Sequence, residues 1–228
     1  MSQDRGHAPV ARRSFLFRLS TAAAAFGIGQ SAAGAQAQAQ APPEAAQDRR
    51  FEPARHAQDD WFDQLPGKHR FFFDSTTPNG VEEALMFARN YFAGNKSGYG
   101  LDSGDLAVII GVRHRSTPFA FTDAMWAKYS AGIAERIKFN DPKTDKPAAV
   151  NLYGRDAGSL LERGVHFAVC DMATHALAGV IAKNIGGKAD DVYKDLQANT
   201  IGNCHFVPAG IVGVNRAQER GYSIAHIG

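Results

Sequence analysis

The stretch "GVHFAVCDMATHALAG" (Gly164–Gly179) decides the fold. An apolar run, Val165 to Cys170, passes without a loop into a segment in which Ala173, Ala176, Leu177, Val180 and Ile181 recur at helical spacing. Gly186-Gly187 ends that helix. A strand that leads straight into a helix is half of a strand–helix–strand unit, and the rest of the chain supplies the other halves. "LAVIIGV" (Leu106–Val112) is unbroken apolar sequence, as a strand covered on both faces requires.

"KHRFFFDSTTPNG" (Lys68–Gly80) opens with a short strand, Arg70–Phe73, that breaks at Asp74–Gly80. Asn79 with Glu82 three residues later predicts a capping-box helix start. The helix after it carries Val81, Ala84, Leu85, Ala88 and Phe92 on one face. "GNKSGYGLDSGD" (Gly94–Asp105) reads as a glycine-rich connection, and Trp126, Tyr129, Ile133 and Ile137 stripe a second helix. The turn-rich Phe139–Asp156 is a long loop expected over one edge, followed by a short helix, Gly158–Arg163. "KADDVYKDLQAN" (Lys188–Asn199) is a polar helix, "CHFVPAG" (Cys204–Gly210) a strand and turn, "IVGVNRAQERG" (Ile211–Gly221) a helix and "YSIAHI" (Tyr222–Ile227) a last strand. Strands alternating with helices predict an α/β domain whose parallel sheet is covered on both faces. In such sheets ligands sit beyond the carboxyl ends of the strands. Those ends are Asp74-Ser75-Thr76, Arg113-His114-Arg115, Cys170 and Pro208-Ala209-Gly210.

Ahead of this domain, "ARRSFLFRLSTAAAAFGIGQSAAGA" (Ala11–Ala35) resembles a twin-arginine export signal, with Arg12-Arg13 before an apolar stretch and small residues at Ala33-Gly34-Ala35 for cleavage. The run Thr21–Ile28 is too short to span a bilayer core of ~30 Å. Periplasmic residence is therefore expected, with no membrane attachment after cleavage. "QAQAQAPPEAAQ" (Gln36–Gln47) is low-complexity sequence with nothing to bury. The expected organisation is a signal at 1–35, a disordered linker and an arm packed on the domain at 36–66, and the domain at 67–228. Net charge is +2, and Arg5, Arg12, Arg13 and Arg18 of the signal account for it, so nothing points to a nucleic-acid surface.

There are two cysteines, Cys170 and Cys204. One ends its strand and the other begins its own. Parallel pairing therefore holds them roughly 13 Å apart along the strands, beyond the ~7 Å reach of a disulfide. Cys204 reads as a small buried apolar residue. Cys170 is different: the amides of the helix that begins near Asp171 favour a thiolate, and Arg113, His114 and Arg115 end a strand on the same rim. Asp171 acts in the opposite sense, and a buried, inert thiol is the competing reading. His114, His166, His175, His205 and His226 match no standard metal spacing, so no metal or cofactor is expected. His175 lies roughly opposite the apolar face of its helix, toward solvent or a subunit contact. "DSTTPNG" (Asp74–Gly80) has the outline of a flavin phosphate loop, but Ser and Thr at a helix start are more often simple caps. The chain contains no G-x-S-x-G elbow, P-loop or G-x-G-x-x-G.

"GVHFAVC" before a helix, together with "FVPAGIVGVNRAQERGYSIAHI" (Phe206–Ile227), resembles the DsrE/DsrF-like (YchN-like) proteins over about Arg70 to Ile227. The resemblance implies a three-layer α/β/α sandwich around a mainly parallel five-stranded sheet, and a homo-oligomer, trimer or hexamer. It implies sulfane sulfur carried as a persulfide on a strand-end cysteine, the position Cys170 matches. On that reading Arg113, His114 and Ser75 bind a small sulfur-containing anion or a partner thiol protein, with Pro208 and Gly210 shaping the floor and the Phe139–Asp156 loop covering the pocket. The alternatives are a non-catalytic oligomeric small-ligand-binding module and a metal- or haem-binding protein.

Overall fold

A computed structural model describes residues 52–228; the expected signal and most of the expected linker lie outside the described residues. A 3₁₀ turn, Ala57–Asp59, leads to α1 (Trp61–Gln64), β1 (His69–Ser75), α2 (Pro78–Tyr99), β2 (Leu106–Val112), α3 (Asp123–Ile137), α4 (Gly154–Leu161), β3 (His166–Cys170), α5 (Asp171–Ile185), α6 (Ala189–Ala198), β4 (Cys204–Val207), α7 (Gly210–Gln218) and β5 (Ser223–Ile227). The five strands form one sheet in the order β4-β3-β2-β1-β5, and every pairing is parallel. Helices on both faces make it a three-layer α/β/α sandwich. Among these residues no helix is long and apolar enough to cross a membrane.

Side chains alternate across the sheet and divide the core in two. On one face Phe73, Val108, Ile110, Val112, Phe167 and Val169 pack with α2, α3, α4, α5 and α6. On the other, Phe72, Ala107, Ile109, Ala168 and Val207 pack with α1 and α7. The handedness of crossover connections explains the split. From β1 to β4 the chain steps across the sheet in one direction, so right-handed crossovers put their helices on one face. The return from β4 to β5 runs the other way, and α7 falls on the opposite face. β3 and β4 are neighbours whose following helices, α5 and α7, go to opposite sides. A cleft opens beyond their carboxyl ends.

The arm is part of the second core. Trp61, Phe62 and Leu65 are buried there, and the Tyr222 hydroxyl donates to the Phe62 carbonyl at 2.6 Å.

Several local expectations change. α2 is capped by Thr77, whose side chain accepts from the Gly80 amide at 3.0 Å, rather than by Asn79. Pro78 has no N–H and a φ already helical, so it suits the first helical position and moves the cap one residue before it. α2 also continues through the glycine-rich Gly94–Tyr99 and stops only at Gly100, whose φ of 71° is left-handed. The Leu101 amide reaches back to the Asn95 carbonyl, and the Leu101 side chain packs on the core, which is the hydrophobic stop the glycine count hid. α4 starts four residues earlier than expected, after an Asn151 turn. On α5 the buried face runs through Thr174, Ala178 and Ala182 beside Ala173, Leu177 and Ile181, whereas Ala176 is exposed.

Candidate functional site at the carboxyl ends of β2, β3 and β4

Cys170 is the last residue of β3 and the N-cap of α5. It is 7 % exposed. The residue opens into a cleft of about 270 Å³ whose wall includes Arg113, His114, Arg136, Met172, Gly210 and Ile211. The cleft lies between the N-terminal turns of α5 and α7, where the crossovers diverge.

One alternation rule aims the site. Phe72 and Asp74 on β1, Ala168 and Cys170 on β3, and Ile224 and His226 on β5 lie two residues apart, so each functional residue follows a core residue on the α7 face. Register sets Asp74 between Gly111 and His226. Arg113, just beyond β2, closes a two-point contact on Asp74: Nε donates to Oδ1 at 2.7 Å and Nη2 to Oδ2 at 2.9 Å. His226 Nδ1 lies 2.8 Å from the same Oδ2. The Asp74 side chain is only 4 % exposed, so this is a largely desolvated pair. Hydrogen bonding to Asp74 raises the Arg113 guanidinium above its ordinary value, and the charge of the nearby Cys170 sulfur adds to the effect.

Gly210 makes room for that arrangement. A Cβ there would meet Arg113 Cβ at 2.4 Å and Cδ at 2.7 Å, so the arginine stem lies directly on the first residue of α7. His114 has a left-handed φ of 59°, uncommon for a residue with a side chain and characteristic of constrained sites. Burial lowers its imidazole below the ordinary 6.5, and the charges of Arg136, Arg115 and Arg113 push the same way.

Asp171 does not oppose this field from within the cleft. Its carboxylate accepts from the Tyr193 hydroxyl at 2.7 Å, lies 3.7 Å from His175 Nε2 and lines a separate cleft. Burial, reinforced by that hydrogen bond, pushes Tyr193 up to about 12. His175 is half exposed, as its helix face implied, and stacks on Tyr193.

Of the residues expected at the site, Cys170, Arg113, His114 and Gly210 meet in one cleft. Ser75 and Pro208 do not. Ser75 alternates to the other face of β1, is fully buried, and donates to the Gly111 carbonyl at 2.7 Å. Pro208 lines the neighbouring cleft with Asp171 and Tyr193. Nor does the Phe139–Asp156 loop contribute to the wall. Asn151 ties it elsewhere, donating to the Phe119 and Phe121 carbonyls at 2.9 and 3.0 Å. Residue-level reading missed Arg136, Met172, Ala176 and Ile211; only the packing of α3 and α7 brings the first and last of these to the cleft.

The two cysteines are unbonded. Phe167, three residues before Cys170, is the partner of Cys204, so the two thiols stand apart along the strands. Cys204 Sγ faces the Ala120 carbonyl at 3.9 Å, and burial pushes its thiol up to about 12. Beside it, His166 Nδ1 and His205 Nε2 are 2.8 Å apart, and Trp61 stacks on His205 with ring centroids at 4.0 Å. Burial brings His205 down to about 4. At the start of α2, where a phosphate loop would bind, the Thr76 hydroxyl donates to the Gly228 carbonyl instead.

The chain matches no known family model and no curated protein. Among solved structures it is similar to a protein of unknown function from Methanobacterium thermoautotrophicum, at 14 % identity and a TM-score of 0.41, covering 70 % of this chain and 99 % of that one.

Proposed function

We propose that the protein carries sulfane sulfur as a persulfide on Cys170. One observation carries this reading: Cys170 is the N-cap of α5 and lines a cleft whose wall, among the described residues, holds arginines and no acid. The thiolate is the nucleophile in such exchange, and an anionic donor is drawn to a basic wall. With thiosulfate as donor, the thiolate attacks the sulfane sulfur, a new S–S bond forms on Cys170, and the old S–S bond breaks. Sulfite leaves with the electron pair. The persulfide is passed on when an acceptor thiolate attacks its outer sulfur.

The reading resembles what DsrE/DsrF-like proteins do, and it includes export to the periplasm, carried by the sequence of residues 1–35 alone. It also includes a homo-oligomer; Met172 and Ile211, 67 % and 59 % exposed at the mouth of the cleft, support a contact surface there. Incubation with thiosulfate or polysulfide and intact-mass measurement tests the carrier step. The expected result is a gain of ~32 Da, one sulfur atom, that is lost in Cys170→Ser and kept in Cys204→Ser. No gain with any donor leaves the non-catalytic binding module as the better reading.

A further inference from the structure

We infer that Arg136 selects the charge of the molecule that reacts at Cys170, restricting the site to anions. The inference rests on the reading of Cys170 as a nucleophile. The cleft wall carries three basic side chains, and they are not equivalent. Arg113 is held by Asp74 through two hydrogen bonds, with His226 on the same carboxylate. Its charge is largely answered before any ligand arrives, and its fork is occupied. His114 is held toward its neutral form by burial and by the surrounding arginines, so at neutral pH it offers a hydrogen bond rather than a charge.

Arg136 reaches the cleft from the last turn of α3, and among the described residues no carboxylate pairs with it. It shares that wall with His114, and its charge helps to lower the imidazole. The acid nearest in sequence to Cys170, Asp171, is bound by Tyr193 in another cleft. A basic residue in a last helical turn is favourable in its own right. That role does not require a guanidinium on the wall of a cleft that, among the described residues, contains a thiol and no acid. An unpaired planar fork is suited to a sulfonate or carboxylate. The substrate class is therefore a small molecule with a negative group at one end and an electrophilic atom at the other.

Two alkylating agents of nearly equal size separate charge selection from reactivity. With iodoacetate or iodoacetamide the Cys170 thiolate attacks the methylene carbon, a C–S bond forms, the C–I bond breaks and iodide leaves with the electron pair. Rates at Cys170 are followed by peptide mass on the full chain, with a small cysteine peptide as reference. In the wild type the iodoacetate-to-iodoacetamide ratio is expected to exceed the reference by about fivefold, the effect of one nearby charge in partly screened water. In Arg136→Gln the ratio falls to the reference, whatever the change in the two absolute rates, and Arg136→Lys, which keeps the charge, keeps the ratio. An unchanged ratio in Arg136→Gln overturns the inference and leaves the reactive thiol standing, as does a ratio that collapses only in Arg113→Gln. Failure of Cys170 to react with either reagent overturns the nucleophile reading itself, and the inference with it.

Discussion

Gly210 and Asp74 hold the site without being reactive themselves. In Gly210→Ala the new methyl group must displace the Arg113 stem, which it would meet at 2.4 Å. Overpacking of this kind costs about 1–3 kcal/mol. We expect a loss of that size in urea unfolding, with a slower reaction of Cys170 in the variant that remains folded. Asp74→Asn removes the charge that answers Arg113. Breaking a buried pair costs roughly 3–5 kcal/mol, and the 24 % exposure of the Arg113 side chain places this one near the lower figure. Equilibrium unfolding at pH 7 checks it; a loss below about 0.5 kcal/mol, the size of an ordinary surface substitution, would mean that the pair does not hold the arginine.

On the scale of elements, the arm and the sheet edge make a pH-sensitive contact. Trp61 stacks on His205, which bonds to His166, and burial lowers both histidines, His205 to about 4. The unfolded chain binds a proton at His205 near its ordinary 6.5, whereas the folded chain resists until about 4. Between those values the unfolded state holds more protons, so stability falls as pH falls. His166 acts in the same direction. We expect the unfolding free energy to decline from pH 6.5 toward pH 4, and His205→Phe, which retains a ring under Trp61, to flatten that slope. The same slope in wild type and variant would mean that other groups carry it. Phe62, in the same arm, is fully buried, and Phe62→Ala is expected to cost about 3–5 kcal/mol in urea unfolding.

For the whole molecule, the architecture and half of the residues that line the cleft are legible in the sequence. The run Val165–Cys170 into Asp171 marks a strand–helix junction from local pattern alone, and Leu106–Val112 is buried at every position as its composition required. Cys170, Arg113, His114 and Gly210 come together in the cleft because each lies at or just beyond a strand end, and strand ends can be counted along a sequence. Arg136 was not, because nothing near it in the chain signals the cleft; the packing of α3 delivers it. The Asp74–Arg113 pair spans 39 residues and depends on strand register, which residue patterns do not reveal. Ser75 was misplaced by a single step of alternation, and Pro208 by the diverging wall of a second cleft.

The central claim is that the Cys170 sulfur opens into a cationic cleft while the Cys204 sulfur is shut in. Residue exposure alone suggests the reverse order, since Cys204 is the more exposed residue as a whole. The direct measurement is the alkylation rate of each cysteine in the folded, full-length chain at pH 7.5 with iodoacetamide, read by peptide mass. Reaction of Cys170 at least about tenfold faster than Cys204 is predicted, because only a thiolate attacks and the Cys204 thiol is held up to about 12. Faster reaction at Cys204, or a Cys170 that stays unmodified until the chain unfolds, would contradict it.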